Sequence, residues 1–315
     1  MRIQDIVGTV KRKDRNNRKH RKVQPDNLYK VNVKNLKEGG AMPGVGLIHH
    51  TEIDATLDAL EKSLGIPLKA NVLGSVGKKE FSGDIDVAID IPKEKLQDFA
   101  AKLEASPLIQ DIKKSSVFMT SVDIVGYNSE NTKSGLNRTG KVQIDFMPGN
   151  PDWMKTYYHS PHEKGFDKEG GRSSQYKGTF RNIMLATMAS VYQSKESDEK
   201  IEDGRPVEQQ RWLWSPADGL NWISRKPKPK ANGEGYTKAR IDTVLKGPIT
   251  NTQEIAKLLG LDGPEDLYSF ETLLTTIKKN YPSDVYAKVV DGFKNNGQVQ
   301  QMGIPSELED TPNEN

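Results

Sequence analysis

Two aspartates stand one residue apart in the segment "DIDVAI", which begins at Asp84. The apolar residues Ile85 and Val87 alternate with them, and this alternation is typical of a β-strand that buries one face. Asp84 and Asp86 would then point to the same side of the strand. Two carboxylates at that distance repel each other unless a cation lies between them. The spacing therefore indicates a metal site on the polar face of a strand.

A third carboxylate occurs in a later segment with strand-like alternation, "KVQIDFM", where Asp145 is flanked by apolar residues. An adjacent strand could bring Asp145 beside Asp84 and Asp86. Three carboxylates form an oxygen-only ligand set, which suits the hard cations Mg²⁺ and Mn²⁺. Two such ions can clamp an in-line phosphoryl displacement from both sides. Asp123, in "SVDIVGY", is an alternative third carboxylate.

A Gly-Ser pair stands upstream of the acidic strand. The segment Leu73–Ser75 is followed by a gap of eight residues and then by Asp84 and Asp86. Together with a later strand aspartate, this pattern resembles the DNA polymerase β-type nucleotidyltransferase superfamily. Asp145 fits the strand order of that superfamily better than Asp123 does, so the resemblance favours Asp145 as the third carboxylate.

The resemblance implies a role for each residue of the motif. Asp84 and Asp86 would hold the metal ion that carries a nucleoside triphosphate. The same two residues and Asp145 would hold a second ion, which activates the acceptor hydroxyl. Gly74 would let the backbone approach the phosphates closely, and Ser75 would donate a hydrogen bond to them. The implied cofactors are two Mg²⁺ or Mn²⁺ ions.

Four further residues are candidates for contacts with the nucleotide. Lys78 and Lys79 follow the Gly-Ser turn and either neutralise triphosphate charge or are exposed turn lysines. Ser82 is expected to orient the turn before the acidic strand and to lie near a phosphate. Arg181 is placed to contact the nucleotide or the acceptor, with a surface ion pair as the alternative.

The composition limits the class of protein and its compartment. The 315 residues contain no cysteine, which excludes disulfides and zinc–thiolate sites. No apolar run is long enough to cross a bilayer, so no membrane partner is expected. The N-terminal segment also lacks the apolar core of a secretory signal. These features predict a cytoplasmic protein.

Basic residues are concentrated in two stretches. Residues 11–22 contain eight Lys or Arg residues and one acid, and residues 225–240 contain six basic residues and one acid. Such runs attract polyphosphate backbones, which favours RNA as a partner. A solvated arm and a solvated linker are the alternative. Three of the four tryptophans, Trp212, Trp214 and Trp222, lie just before the second stretch, and either pack between domains or stack on bases.

The hydrophobic pattern predicts an α+β fold. A helix is expected over "TEIDATLDALEKSLG", with Thr51 as its N-cap and Gly65 as its stop, followed by a strand that ends at Leu73. The predicted order is helix, strand, strand, helix, strand, strand, which describes a mixed sheet backed by helices. The resemblance covers about residues 51–150 and implies a palm-like core. The predicted regions are a basic arm and Gly-rich segment (1–50), a nucleotidyltransferase core (51–205), a mainly helical region (206–305) and a disordered acidic tail (306–315).

These features together predict a metal-dependent nucleotidyltransferase. It would move an NMP from an NTP, with ATP or CTP favoured, to a hydroxyl acceptor and release pyrophosphate. An RNA end is the favoured acceptor, and a protein side chain or a small molecule is the alternative. A hypothesis from another class is a non-catalytic nucleic-acid-binding or structural protein with the same fold.

Overall fold

The computed structural model describes residues 42–132, 137–160, 176 and 178–308. The predicted basic arm at residues 11–22 lies outside these residues, as does most of the predicted acidic tail. At the start of that tail, Ser306–Leu308 form a short 3-10 turn in which Leu308 is fully buried. The prediction of disorder is therefore wrong for these three residues, because Leu308 packs into a hydrophobic core.

The chain first forms a short strand and a long helix, β1 (Ile48–His49) and α1 (His50–Leu64). The predicted helix is confirmed, and so is its stop, because Gly65 has the left-handed φ of 71° that favours glycine. The predicted N-cap is wrong by two residues. His49 caps the helix, and the Glu52 carboxylate accepts a hydrogen bond of 3.1 Å from the His49 backbone N–H.

The central sheet has four strands. In chain order, the next elements are β2 (Phe81–Ser82), β3 (Asp84–Ile89), α2 (Leu96–Ala105), β4 (Ile109–Lys114), β5 (Phe118–Asp123) and β6 (Lys141–Pro148). The sheet order is β3-β6-β5-β4, with β3 and β6 parallel and the other pairs antiparallel. The mixed sheet is thus confirmed. The predicted strand that ends at Leu73 is instead a 3-10 turn at Lys69–Asn71 and a single bridge between Val72 and Val87.

One face of this sheet is apolar, and α1 and α2 cover it. Ile85, Val87, Ile144 and Phe146 are all buried there in one cluster with residues of both helices. The alternate residues of the same strands point to the opposite face, and these include all three predicted acidic ligands. Packing of the apolar face therefore fixes the direction in which the carboxylates point.

A second sheet follows two helices that begin the C-terminal half. These elements are α3 (Pro151–Tyr157), α4 (Gly178–Val191), β7 (Lys195–Glu196), β8 (Gln209–Ser215), β9 (Gly219–Pro229) and β10 (Tyr236–Ile249). All neighbouring strands are antiparallel, in the order β10-β9-β8-β7. The expectation for this region was a mainly helical structure, and one of the two interpretations of residues 225–240 was a solvated linker. Both expectations are corrected by the sheet. Its edge strand β10 is almost entirely exposed, so it lacks the apolar alternation that identifies a half-buried strand.

Helices complete the chain from residue 252 to residue 302. They are α5 (Thr252–Leu258), α6 (Phe270–Asn280), α7 (Ser283–Lys294) and α8 (Gly297–Met302). These helices form one hydrophobic cluster with α3, α4 and β8. The same cluster includes Leu73 and Ala88, so it extends across the predicted boundary at residue 205 into the first part of the chain. Among the described helices, none has an apolar stretch of the length a bilayer requires.

Candidate active site

The acidic residues are brought together by the parallel pairing of β3 with β6. Asp86 and Asp145 are direct register partners, and Asp84 lies opposite Gln143. Because side chains alternate along each strand, Asp84, Asp86 and Asp145 share the sheet face that α1 and α2 leave uncovered. Asp84 is exposed, whereas Asp86 and Asp145 are partly buried. The expected meeting of these carboxylates thus agrees with the strand register.

The Gly-Ser turn is attached to the same strand. The Leu73 backbone N–H donates a hydrogen bond of 2.9 Å to the Asp86 carbonyl oxygen. Gly74 follows with a φ of 68°, a left-handed conformation that glycine adopts without strain. The Ser75 carbonyl then accepts a hydrogen bond of 3.1 Å from the Lys78 backbone N–H, which closes the turn. Gly74 and Ser75 are therefore held beside the acidic pair.

Burial raises the pKa values of all three carboxylates, and repulsion by neighbouring carboxylates adds to the rise at Asp86 and Asp145. Burial raises the pKa of Asp86 to about 7, and the charges of Asp84 and Asp145 add to this rise. Burial also raises the pKa of Asp145 to about 6. The hydrogen bond from Gln143 lowers this pKa, and the negative charge of Asp84 raises it. Partial loss of hydration raises the pKa of Asp84, whereas the positive charge of Lys79 lowers it. The site thus concentrates negative charge that a cation would neutralise.

Gln143 orients one member of the acidic group and was not among the residues predicted from the sequence. Its side-chain Nε2 donates a hydrogen bond of 2.8 Å to Asp145 Oδ1, and its Oε1 accepts one of 3.0 Å from the Met42 backbone N–H. Gln143 is only 3% exposed, so its amide has little freedom to turn. A buried polar residue two positions before Asp145, on the same strand face, was the signal available in the sequence.

Asp123, the alternative third carboxylate, is placed elsewhere. In the β5–β6 pairing, Met119 lies opposite Asp145, whereas Asp123 lies opposite Lys141 at the other end of the strand. Four residues of a strand separate these positions by about 13 Å. Asp123 accepts a hydrogen bond of 2.7 Å from the side chain of Gln110. It is therefore not part of the acidic group.

Two cavities border the Gly-Ser turn, and each is lined by a different one of the two predicted lysines. Gly74, Ser75 and Lys79 line a cavity of about 810 Å³. Lys78 lines a second cavity of about 560 Å³, which Gly74 also borders. Lys79 is thus on the same side of the turn as Ser75, and its charge acts on Asp84. The three carboxylates lie beside these cavities and do not form their walls.

Two other predicted contact residues have mainly structural surroundings. Ser82 is buried in β2, where it pairs with Ile48, and it is not in the wall of either cavity. Arg181 is 2% exposed and lies outside both cavity walls. Its guanidinium donates hydrogen bonds to the carbonyl oxygens of Thr156 (3.1 Å), Tyr157 and Leu267 (2.9 Å). Arg181 therefore joins the end of α3 to the C-terminal helices, in place of the expected surface or nucleotide contact.

No protein-family model matches the chain, and no curated protein is similar enough to match it. Among solved structures, two ternary complexes of Leishmania infantum polymerase beta show similarity to this chain. The primer/template (P/T) complex is 14% identical, with 70% of this chain and 76% of that chain covered and a TM-score of 0.33. The gap complex is 13% identical, with 70% of each chain covered and the same TM-score of 0.33. A similarity at this level does not indicate a function, and the function is inferred below from the site itself.

The acidic group has the donor chemistry of a magnesium site but not its closed geometry. Carboxylate oxygens are the ligands that Mg²⁺ and Mn²⁺ prefer, and repulsion between carboxylates adds to the effect of burial on the pKa values of Asp86 and Asp145. Within the described ranges, however, no three His, Cys, Asp or Glu side chains converge closely enough to hold an ion. Mutual repulsion and the hydrogen bond from Gln143 to Asp145 both oppose such convergence in the metal-free protein.

We expect Asp86→Asn to stabilise the metal-free protein above neutral pH. Because the pKa of Asp86 is raised in the folded state, its ionisation costs free energy only as the pH rises from about 4 through about 7. A shift of this size corresponds to at most about 4 kcal/mol, and the partial exposure of Asp86 reduces it to about 1–3 kcal/mol. Urea denaturation in EDTA at pH 5 and pH 8 measures the difference.

The exposed Asp90 provides the matched control for this variant, since it directly follows β3. Asp90→Asn should leave the free energy of unfolding within about 0.5 kcal/mol of wild type at both pH values. If Asp86→Asn unfolds at the same urea concentration as wild type at pH 8, the carboxylates do not repel one another as described.

Proposed function

We propose that this protein transfers an NMP from an NTP to a hydroxyl acceptor and releases pyrophosphate. The observation that carries the proposal is the register of β3 and β6, which pairs Asp86 with Asp145 on the sheet face that also carries Asp84. The Gly-Ser turn is hydrogen-bonded to the backbone of Asp86, so a triphosphate at Gly74 and Ser75 would lie beside the acids. Catalysis of phosphoryl transfer consists mainly of such positioning and charge stabilisation.

In this proposal, Asp84, Asp86 and Asp145 would hold two Mg²⁺ or Mn²⁺ ions. When bound, the ions would neutralise charge on the triphosphate and favour loss of the acceptor's proton. The chain's own residues position the reactants. Gly74 lets the backbone approach a phosphate, Ser75 donates a hydrogen bond to it, and Lys79 adds positive charge on the same cavity wall.

An RNA end is the proposed acceptor, and ATP or CTP the proposed donor, in a cytoplasmic setting. The β9–β10 hairpin supports RNA because it carries the second basic stretch along an exposed sheet edge. A protein side chain or a small molecule is the alternative acceptor.

The second candidate function, a non-catalytic binding protein, is disfavoured because a site without chemistry gains nothing from three carboxylates that repel one another.

Transfer of label from radioactive NTPs tests the function. Each of the four α-labelled NTPs is incubated with the protein, Mg²⁺ and total RNA, and the products are treated with nuclease or protease before separation. Label that nuclease removes identifies an RNA acceptor, and label that protease removes identifies a protein acceptor. Label in neither fraction, with no pyrophosphate released from any of the four NTPs, contradicts the proposed function.

Ser75→Ala and Lys79→Ala should weaken the binding of the triphosphate. Ser75→Ala should raise KM about two- to tenfold with a smaller effect on kcat, because its hydrogen bond is made in both the ground and the transition state. Lys79→Ala should raise KM most at low salt, since its side chain is exposed and screened by ions.

Lys78→Ala is the matched control for Lys79→Ala, because Lys78 lies on the other cavity. Steady-state kinetics at two salt concentrations compares the three variants. Equal effects of the two lysine variants would argue against the binding of triphosphate in the larger cavity.

Replacement of Lys228, Lys230 and Lys238 by Gln should weaken the binding of RNAs of different sequence by similar factors. These residues lie along the β9–β10 hairpin, and contacts with phosphates carry no sequence information. If all three contact phosphates, the slope of log affinity against log salt should fall by about 2. Lys278, Lys288 and Lys294, on α6 and α7, form the control set. An unchanged slope in the hairpin variant would show that RNA does not bind there.

A further inference from the structure

The larger cavity has a positively charged wall, although it lies beside the acidic group. Ser75 and Lys79 line one part of it, and Arg211 of β8 lines another. Among the described residues of this wall, Lys79 and Arg211 are the Lys and Arg side chains, and none is Asp or Glu. Such a wall attracts anions. The proposed function places a triphosphate at Lys79, which leaves Arg211 without a role.

Arg211 has no counterion. It is half-buried, and within the described part of the chain its guanidinium forms neither a hydrogen bond nor an ion pair. Its Nε is buried, whereas its Nη atoms are not, and these terminal atoms can contact a ligand. Burial lowers the pKa of Arg211, and the positive charges of Arg225 and Arg240 add to this effect. The negative charge of Asp242 opposes it. Arginine stays charged at neutral pH despite such a shift, so the cavity wall holds a cation that lacks an anion.

Arg211 begins a diagonal row of arginines across the second sheet. Gln209 of β8 pairs with Arg225 of β9, and Arg225 pairs with Asp242 of β10. Residues that pair directly, or that lie two positions apart on one strand, share a face of the sheet, so Arg211 and Arg240 lie on the same face as Arg225. Each step crosses one strand and advances two residues, which separates neighbouring Cα atoms by about 8 Å. We call these three residues the arginine row.

The two outer members of the arginine row are available to anions. The middle member, Arg225, donates hydrogen bonds of 2.6 and 2.5 Å to the Asp242 carboxylate. Arg240 is exposed on β10 and, like Arg211, has no ion pair within the described residues. Two steps of the row separate the Cα atoms of Arg211 and Arg240 by about 16 Å. One compact anion does not span this distance, whereas the successive phosphates of a nucleic acid strand do.

We propose that the arginine row binds backbone phosphates of the acceptor RNA, with Arg211 holding a phosphate near the end that carries the acceptor hydroxyl and Arg240 holding one farther from it. This inference rests on the proposed function, because it takes an RNA end as the acceptor. The cavity wall continues from Arg211 to Ser75 and Lys79, so an RNA end that passes Arg211 would meet the triphosphate there.

The size of the cavity restricts the form of the RNA. Its volume of about 810 Å³ lies in the range of small-molecule sites, which admits the end of a single strand and not a duplex. Phosphate contacts carry no sequence information, so the arginine row would position the RNA end without selecting its sequence. The acceptor is therefore an unpaired RNA end.

Fluorescence anisotropy with a labelled single-stranded RNA of mixed sequence tests the proposal. In the absence of NTP, Arg211→Gln and Arg240→Gln should each weaken binding about three- to tenfold at low salt. The slope of log affinity against log salt should become shallower by about 0.7 for each lost contact, which a purely structural role would not cause. Lys257→Gln, at an exposed position of α5 outside the cavity wall, is the control and should change neither quantity.

Asp242→Asn should have the opposite effect. It removes the carboxylate that neutralises Arg225, so the middle of the arginine row gains a cation that can contact a phosphate. RNA should bind about two- to fivefold more tightly at low salt, and less so as the salt concentration rises. Weaker binding in this variant would indicate that the row supports the fold and does not contact RNA.

Oligonucleotides with uncharged linkages locate Arg211 along the RNA. Two 2′-O-methyl oligonucleotides carry methylphosphonate linkages next to the 3′ end or next to the 5′ end, and a third carries none. With one of the two, Arg211→Gln should lose no further affinity, because the phosphate that it would contact is already uncharged. Arg240→Gln should keep its full effect with that oligonucleotide. A full effect of Arg211→Gln with both would place Arg211 away from the RNA end.

The outcomes separate this inference from the proposed function. If wild type binds RNA and neither arginine variant changes the affinity or the salt slope, the arginine row is wrong and the proposed function stands. If wild type transfers NMP to a protein and binds no RNA, the row is again overturned while NMP transfer stands. If no NTP releases pyrophosphate, the proposed function is overturned, and the binding measurements still decide whether the row holds phosphates.

Discussion

Asp86→Asn, Asp84→Asn and Asp145→Asn should each lower the rate of nucleotide transfer by about a thousandfold or more. Each substitution keeps the side-chain volume and removes one negative charge from the group that would organise the metal ions. A loss of about 4 kcal/mol of transition-state stabilisation corresponds to a factor of this size. The measurement is single-turnover transfer of label from an NTP in saturating Mg²⁺, so that binding of the nucleotide does not limit the rate.

Asp123→Asn is the control for these three variants, because it removes a carboxylate from the same sheet at a distance from the acidic group. It should transfer at the wild-type rate. Circular dichroism and urea denaturation establish that each variant is folded, and Asp86→Asn should be the more stable protein in EDTA at pH 8. A wild-type rate in one of the three variants would remove that residue from the site, and the opposite pattern, with Asp123 essential, would refute the strand register.

A buried ion pair is expected to give the largest single effect on stability. Arg138 and Glu52 form two parallel hydrogen bonds, of 2.9 and 2.7 Å, and their side chains are 4% and 3% exposed. Glu52 also accepts hydrogen bonds from the backbone N–H groups of His49 and Asn128. The guanidinium lies over the ring of Tyr127, 4.8 Å from its centroid. The pair thus ties the start of α1 to the segment before β6.

Arg138→Met should lower the free energy of unfolding by about 3–5 kcal/mol, because it leaves the Glu52 carboxylate buried without its cation. Chemical denaturation at pH 7 measures this loss. Arg205→Met is the control, since Arg205 pairs with the more exposed Asp203, and it should leave the free energy of unfolding nearly unchanged. The double variant Glu52→Met with Arg138→Met should recover part of the loss, because no charge then remains buried.

The pH dependence gives an independent check of the same pair. Burial alone would raise the pKa of Glu52, but hydrogen bonds from Arg138, Asn128 and His49 outweigh it and lower the pKa below 4.5. The stabilisation is therefore complete above the unfolded-state pKa and is lost as the pH falls through the folded-state value. Wild type should lose stability between about pH 5 and pH 3 more steeply than the double variant does. Parallel curves for the two proteins would mean that the pair contributes little.

The local sequence was sufficient to predict a structural feature wherever that feature depends on the residues of a single helix or strand. The alternation around Asp84 and Asp86 identified a strand with one apolar face, because each side chain's direction depends only on its position in the strand. The stop of α1 at Gly65 could likewise be predicted, because glycine adopts the left-handed conformation that ends a helix without strain. The alternation of apolar and polar residues did not identify β10. Its residues are exposed on both faces, and its strand conformation comes from pairing with β9.

The tertiary structure decided every relation between distant segments. The choice of Asp145 over Asp123 depends on strand register, which is set by packing of the apolar face and cannot be read from either strand alone. Arg181 precedes the buried residues Met184, Leu185 and Met188 by three, four and seven positions, and its buried guanidinium donates to three carbonyl oxygens from other segments, which the sequence alone does not reveal. By itself, the sequence determined which residues could do chemistry and on which strand face they lie. Only the folded chain, by burying one face of each sheet, determined which of them meet.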